Sequence, residues 1–130
     1  MHNTRYLISS AVLAVSFLFA GCNSDADTYG VGAQCQTDDD CYQEEPWAQQ
    51  CLTSFKGGYC GLTGCTTDAD CPDASICVAH DDGVNYCFRS CVDKSECNEN
   101  RDVDVESNCS ANITTLDNPD NLKACVPPSG

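Results

Sequence analysis

CQTDDDC (residues 35–41), CTTDADC (65–71) and CVDKSEC (91–97) share one design: two cysteines, five residues between them and an acidic interior. The third residue is Thr37, Thr67 or Asp93, and an acid follows three positions later at Asp40, Asp70 or Glu96. That spacing is the signature of a helix N-cap and its returning side chain, with Asp standing for the usual Glu in two copies. A carboxylate there also sits favourably against the positive end of the turn. Each heptapeptide therefore reads as one short capped helical turn between two cysteines. The competing reading is calcium, but an EF-hand loop needs a glycine at its sixth position and a Glu at its twelfth. Asp40 runs straight into Cys41 and Asp70 into Cys71, while Asp102-Val103-Asp104-Val105-Glu106 alternates suitably but continues into Ser107. The heptapeptides read as structural joints.

Outward from these joints, twelve cysteines fall into three groups of four. Unit one, residues 35–64, holds Cys35, Cys41, Cys51 and Cys60; unit two, residues 65–90, holds Cys65, Cys71, Cys77 and Cys87. Unit three, residues 91–130, holds Cys91, Cys97, Cys109 and Cys125. The first interval is constant and the later ones vary, as in a fixed joint followed by tolerant loops. A tyrosine precedes the fourth cysteine in the first two units, at Tyr59 and Tyr86, whereas unit three has Ala124 there and a long insertion, making it the degenerate copy. Asp82-Gly83, between Ile76–His80 and Val84–Phe88, signals a hairpin. A two-residue turn there places Cys77 opposite Phe88 and Val78 opposite Cys87, so Cys77 and Cys87 would face opposite ways. That leaves 65–77 with 71–87, or 65–87 with 71–77; the first is favoured. Cys87-x3-Cys91 reads as a hinge between units.

The thirteenth cysteine lies near the N-terminus. Arg5 followed by an apolar run from Leu7 to Ala20 is too short to span a membrane, and residues 1–21 suit an export signal. Phe19-Ala20-Gly21-Cys22 resembles the lipobox of bacterial lipoproteins, with Phe19 in place of the usual Leu. The resemblance implies cleavage before Cys22 and acylation of that cysteine. Asn23 follows it, where an aspartate would be an inner-membrane retention signal in some lipoproteins, so the expected location is the outer membrane or cell surface. Residues 22–34 lack periodicity and read as a flexible tether. Pro127-Pro128-Ser129-Gly130 reads as a frayed end.

Charge and core size bound the function. The chain carries −14 at pH 7, and losing residues 1–21 removes Arg5 and no acid. Such a field excludes nucleic acid as a partner and makes the acyl group, not protein charge, the membrane contact. Beyond Cys22 there are only fifteen Leu, Ile, Val and Phe residues, too few with this charge to fold by burial alone. Cross-links must replace the missing core, which requires an oxidising compartment outside the cytoplasm. The fold class is therefore small and disulfide-rich. It is mostly irregular, with short capped helical turns and β-hairpins in three tandem four-cysteine units.

The motif C-x-T-D-x-D-C with a later G-x-Y-C or Y-C resembles the Dickkopf N-terminal cysteine-rich module, well over residues 35–91 and poorly beyond. The resemblance implies a disulfide-knit, non-enzymatic extracellular unit. Beyond Cys22 the chain has one histidine, His80, beside the expected turn, so no catalytic constellation and no cofactor are expected. With no C-x2-C pair and an even set of exported cysteines, no metal site is expected either. Two functional classes follow. One is a lipid-anchored binding or structural module of the cell envelope, meeting a protein or wall polymer, with Tyr42 and Trp47 as contact or small-core residues. The other is a protease-inhibitor-like protein presenting Arg89-Ser90 on a loop braced by Cys87 and Cys91. Because a disulfide closing a loop of about 15 residues is worth about 3 kcal/mol, reduction is expected to unfold the chain. Amide dispersion in the NMR spectrum should collapse on adding reductant, and a reduced chain that kept it would refute the scaffold.

Overall fold

The computed structural model describes residues 25–117 and 122–130. The expected signal segment, Cys22 and the first residues of the expected tether lie outside them. Six disulfides join the cysteines in the same order in every unit, first to third and second to fourth: 35–51 and 41–60, 65–77 and 71–87, 91–109 and 97–125. Cα separations repeat almost unchanged, at 5.8, 5.9 and 5.9 Å for the first bond and 5.4, 5.5 and 5.4 Å for the second. The small, disulfide-rich class with three four-cysteine groups is what the chain forms.

In the chain's order, α1 is Asp25–Thr28, β1 Gln50–Cys51, β2 Cys60–Gly61, β3 Ser75–Ala79, β4 Asn85–Cys91, α2 Lys94–Cys97, β5 Asn108–Ser110, β6 Thr114–Thr115 and β7 Lys123–Val126. Strands β1 and β2 form a two-stranded sheet, and the rest form a five-stranded sheet in the order β5-β7-β4-β3-β6. In each unit the third and fourth cysteines are cross-strand neighbours: Cys51 opposite Cys60, Cys77 opposite Cys87 and Cys109 opposite Cys125. Such neighbours project from the same face. The heptapeptide lies across that face, so each sulfur bonds to a cysteine of the joint and not to its neighbour.

The joints form as the spacing predicts. Asp38–Asp40 and Asp68–Asp70 are 3-10 turns, Lys94–Cys97 is a helical turn, and all three close a capping box. Asp40 Oδ2 accepts the Gln36 and Thr37 N–H groups at 2.8 and 3.1 Å, and Asp70 Oδ2 accepts those of Thr66 and Thr67 at 2.9 and 3.1 Å. Glu96 Oε1 does the same for Val92 and Asp93, at 3.0 and 2.8 Å. The first aspartate has a second task. Asp38 Oδ1 accepts the Cys51 N–H and Asp68 Oδ1 the Cys77 N–H, each at 2.8 Å, latching the hairpin to the joint beside the sulfurs. Lys94 occupies this place in unit three, which lacks the latch.

The hairpin register differs from the two-residue turn expected. Cys77 pairs with Cys87 and Val78 with Tyr86, and His80 N–H donates to Val84 O, so the loop is Asp81-Asp82-Gly83. A two-residue Asp-Gly turn needs positive φ at both residues, and only Gly83, at φ 81°, adopts it. Asp82 instead turns its carboxylate inward, accepting the Val84 N–H at 2.9 Å and the Tyr86 hydroxyl at 2.6 Å. Cys77 and Cys87 thus share a face, and the favoured pairing holds for a different reason from the register argument.

Three segments expected to be loose are built in. Strand β4 runs unbroken from Asn85 through Cys91, so the expected hinge lies within a strand that joins units two and three. Within residues 22–34, Ala26 is fully buried and Val31 nearly so; Ala26 N–H donates to Asp73 O at 2.9 Å and Gly32 N–H to Cys60 O at 2.8 Å. The segment is held by backbone hydrogen bonds and by a few separate side chains, Ala26, Asp27 and Val31, which leaves no side-chain periodicity to read. At the other end, Lys56 N–H donates to Pro128 O at 3.0 Å and Gly130 N–H to Ser54 O at 3.1 Å, so the C-terminus is not frayed.

One core serves all three units. Phe55 and Tyr59 of unit one pack against Ile76, Val78, Tyr86 and Phe88 of unit two, with Ala124 of unit three and Ala26 and Val31 of the N-terminal segment. Tyr59 is fully buried; its hydroxyl donates to Cys125 O and accepts the Arg89 N–H, both at 3.2 Å, and burial pushes its pKa up to about 12. Arg101 is buried beside it, its guanidinium 5.8 Å over the Tyr59 ring. It donates to the carbonyls of Gly58 at 2.6 Å, Val105 at 2.8 Å, Lys56 at 2.9 Å and Gly32 at 3.2 Å. Gly58, at φ 70°, passes so close to the first sulfur knot that a Cβ there would lie 2.2 Å from the Cys35 carbonyl oxygen.

The joint acids set an acid limit. Asp40, Asp70 and Glu96 titrate below their ordinary range, each because backbone N–H groups donate to the ionised form. A carboxylate with a lowered folded pKa contributes stability above its unfolded value, and the contribution is lost as pH falls through the folded one. Denaturant midpoints with the disulfides intact should therefore stay level from neutrality down and drop as pH falls below about 4. Replacing Asp40 with Asn should reduce that drop.

Candidate functional site

A concavity that combines charged and apolar side chains lies where α1, β4 and α2 meet. It encloses about 330 Å³ and is lined by Asp27, Arg89, Glu96, Val92 and Leu122, with Ala74 at its edge. Arg89 forms the floor. Its side chain is about nine-tenths buried, one guanidinium nitrogen pairing with the Asp27 carboxylate and another donating to the Glu96 carbonyl. The Glu96 carboxylate is committed to the Val92 and Asp93 N–H groups, which keep it ionised. At the edge, Ala74 holds φ 65°, a left-handed conformation that costs an L-residue about 1–2 kcal/mol. It is kept there because its carbonyl accepts both the Ser90 N–H and the Ser90 hydroxyl at 2.8 Å. The rim is apolar: Val92 is 75% exposed and Leu122 36%.

This geometry does not suit the protease-inhibitor reading. Such an inhibitor must offer its arginine outward on a loop. Arg89 instead sits within β4, paired across to Ser75, 7% exposed and ion-paired; Ser90 pairs with Ala124. Two residues from each of Cys87 and Cys91 on one strand, Arg89 shares their face and alternates with Phe88 and Ser90. That face is covered by α1 and α2, where Asp27 compensates its charge.

The remaining candidates resolve as follows. Cys22 lies outside the described residues. The sulfurs of Cys35, Cys41 and Cys60, of Cys65, Cys71 and Cys87, and of Cys91, Cys97 and Cys125 lie within 4.8 Å of one another. These triads arise because the two disulfides of a unit cross, and a sulfur in a disulfide is not the thiolate that binds metal. His80 is half-buried, its ring 5.6–5.7 Å from those of Phe55, Tyr86 and Phe88. It borders a second cleft of about 120 Å³ with Asp81, Asn112 and Thr114, whose lining holds neither cysteine nor serine. Tyr42 packs against Tyr29 with centroids 4.6 Å apart, and Tyr42 and Trp47 are both half-exposed outside the core clusters. The calcium-like stretch 102–106 forms a 3-10 turn, with Asp102 bonded to Gln34 and Glu106 paired with Lys94 at 2.8 Å.

Sequence reasoning missed Asp27 as the partner of Arg89 and Arg101 as the tie across the turn of unit one. An unexplained basic residue in so acidic a chain was the available signal for both. The chain matches no protein-family model, no curated protein and no solved structure.

Removing one side of a mostly buried pair leaves the other charge uncompensated, and the partial exposure of Asp27 moderates the cost. Asp27→Ala should lower unfolding free energy by about 1–3 kcal/mol and speed hydrogen exchange at the Ala26 amide, both measurable with the disulfides intact.

Proposed function

We propose that this protein is a non-catalytic, lipid-anchored binding or structural module on the outer face of a bacterial cell envelope. Its six disulfides belong to an oxidising, extracytoplasmic setting. The observation that carries the rest is the docking of α1. Ala26 is buried and Asp27 is paired with Arg89, so a lipid on Cys22 would hold a folded scaffold at the surface through a few residues, without the long tether expected. The lipobox-like Phe19-Ala20-Gly21-Cys22 supports acylation, and Asn23 supports the outer membrane or cell surface. The acidic joints of units one and two, in which Asp39 and Asp70 are exposed, offer a rigid negative surface to a basic protein or wall polymer. The Dickkopf-like motif fits the same class, a disulfide-knit unit that works by contact.

Intact mass of the protein from the membrane fraction, before and after reduction and alkylation, tests this directly. The expected result is a lipid-sized increment on Cys22 and twelve further cysteines alkylated only after reduction. Cys22→Ser should move the protein from membrane to soluble fraction with its six disulfides unchanged. An unlipidated wild-type chain would defeat the proposal.

A further inference from the structure

We infer that the α1–β4–α2 cleft is the membrane-facing side of the protein, with Val92 and Leu122 seated in the lipid headgroup region; this rests on acylation of Cys22. Three observations point the same way. The first is reach: Cys22 lies three positions before Asp25, the start of α1, a stretch that spans at most about 11 Å when extended. Asp27, in that same short helix, lines the cleft. An anchor so close to a docked element holds its surroundings against the bilayer and leaves the scaffold little freedom to present another face.

The second is the placement of apolar surface. Five large apolar side chains are exposed among the described residues, and two of them, Val92 and Leu122, line this one cleft. Single exposed apolar residues need no explanation, but two converging on one rim beside an anchor form a contact surface.

The third is charge. Two of the three lysines lie next to these residues in the chain: Lys94, paired with Glu106 at 2.8 Å, is two residues past Val92, and Lys123, next to Leu122, is paired across from Cys91. Both carboxylates that line the cleft are engaged, Asp27 by Arg89 and Glu96 by backbone N–H groups. The acidic runs 38–40 and 68–70 are absent from the lining. An acidic protein held at an anionic surface is driven to turn its acids outward, and lysines near the headgroups favour the orientation further. The lipid phosphates are thus the partner of this face, and the acidic joints of units one and two are left for partners in solution.

The test uses the full acylated protein in phosphatidylcholine vesicles containing phosphatidylglycerol. Lysine reactivity toward an amine label, read residue by residue by mass spectrometry, should fall several-fold at Lys94 and Lys123 on vesicle binding. It should be unchanged at Lys56, in the turn beside Pro128. In a second measurement, Val92→Trp is combined with Trp47→Phe, leaving one indole, and correct folding is checked by the mass of six disulfides. Its emission should shift to the blue and be quenched by brominated lipid, whereas that of native Trp47 should not. If the protein floats with vesicles and carries the lipid on Cys22, yet the position-92 indole is unquenched and all three lysines label alike, the orientation is overturned while the anchor stands. A chain without lipid that fails to float removes both.

Discussion

The crossed pair of disulfides, first cysteine to third and second to fourth, is the constraint on which the rest of the structure depends. It is made three times with almost the same Cα separations. Each pair pins a capped turn across the end of a two-stranded ribbon, and an isolated ribbon of that size would be marginal in water. The acids of the joint take part in the same construction. One carboxylate closes the turn and, in units one and two, another holds the N–H of the third cysteine, so the backbone around the sulfurs is positioned by hydrogen bonds as well as covalently. A chain with few aliphatic residues keeps a defined shape in this way, and the same demand concentrates negative charge at the cross-links.

Repetition alone would give three beads. What joins them is a small set of side chains that reach from one unit into another. Tyr59 bridges unit one to β4 and to Cys125, and Arg101 gathers carbonyls from the N-terminal segment, the unit-one turn and its own loop. A guanidinium suits this task because its several donors lie in one plane and point to several acceptors at once. Burial lowers its pKa, yet the four carbonyls and the Tyr59 ring face compensate the loss of water. The third unit, degenerate in sequence, shares the five-stranded sheet with the second, so its missing latch at Lys94 is offset by strand pairing on both sides of β7.

The same joining creates the cleft. Arg89 is turned inward by strand alternation, Asp27 is carried to it by a four-residue helix, and Glu96 arrives from the third joint. The scaffold separates two surfaces: a cleft lined by engaged charges and by the exposed Val92 and Leu122, and the acidic joints of units one and two.

Much of this was legible in the chain. The constant C-x5-C interval, the Thr or Asp with its acid at i+3, and the twelve cysteines determined the joints, the three groups and the disulfide-rich class, because those features act over a few residues and through covalent chemistry. The pairing preference came out correctly although its premise, a two-residue turn, did not, since Asp82 bonds inward to Tyr86 in place of adopting a left-handed conformation. The tertiary structure alone decided that Arg89 is buried, that residues 26–34 and the C-terminus are pinned, and that β4 runs through a boundary between repeats. Those outcomes rest on backbone hydrogen bonds and on charges brought together from distant positions such as Asp27 and Arg89. Neither leaves a periodic mark on the sequence, because each joins positions that are close only in the folded chain.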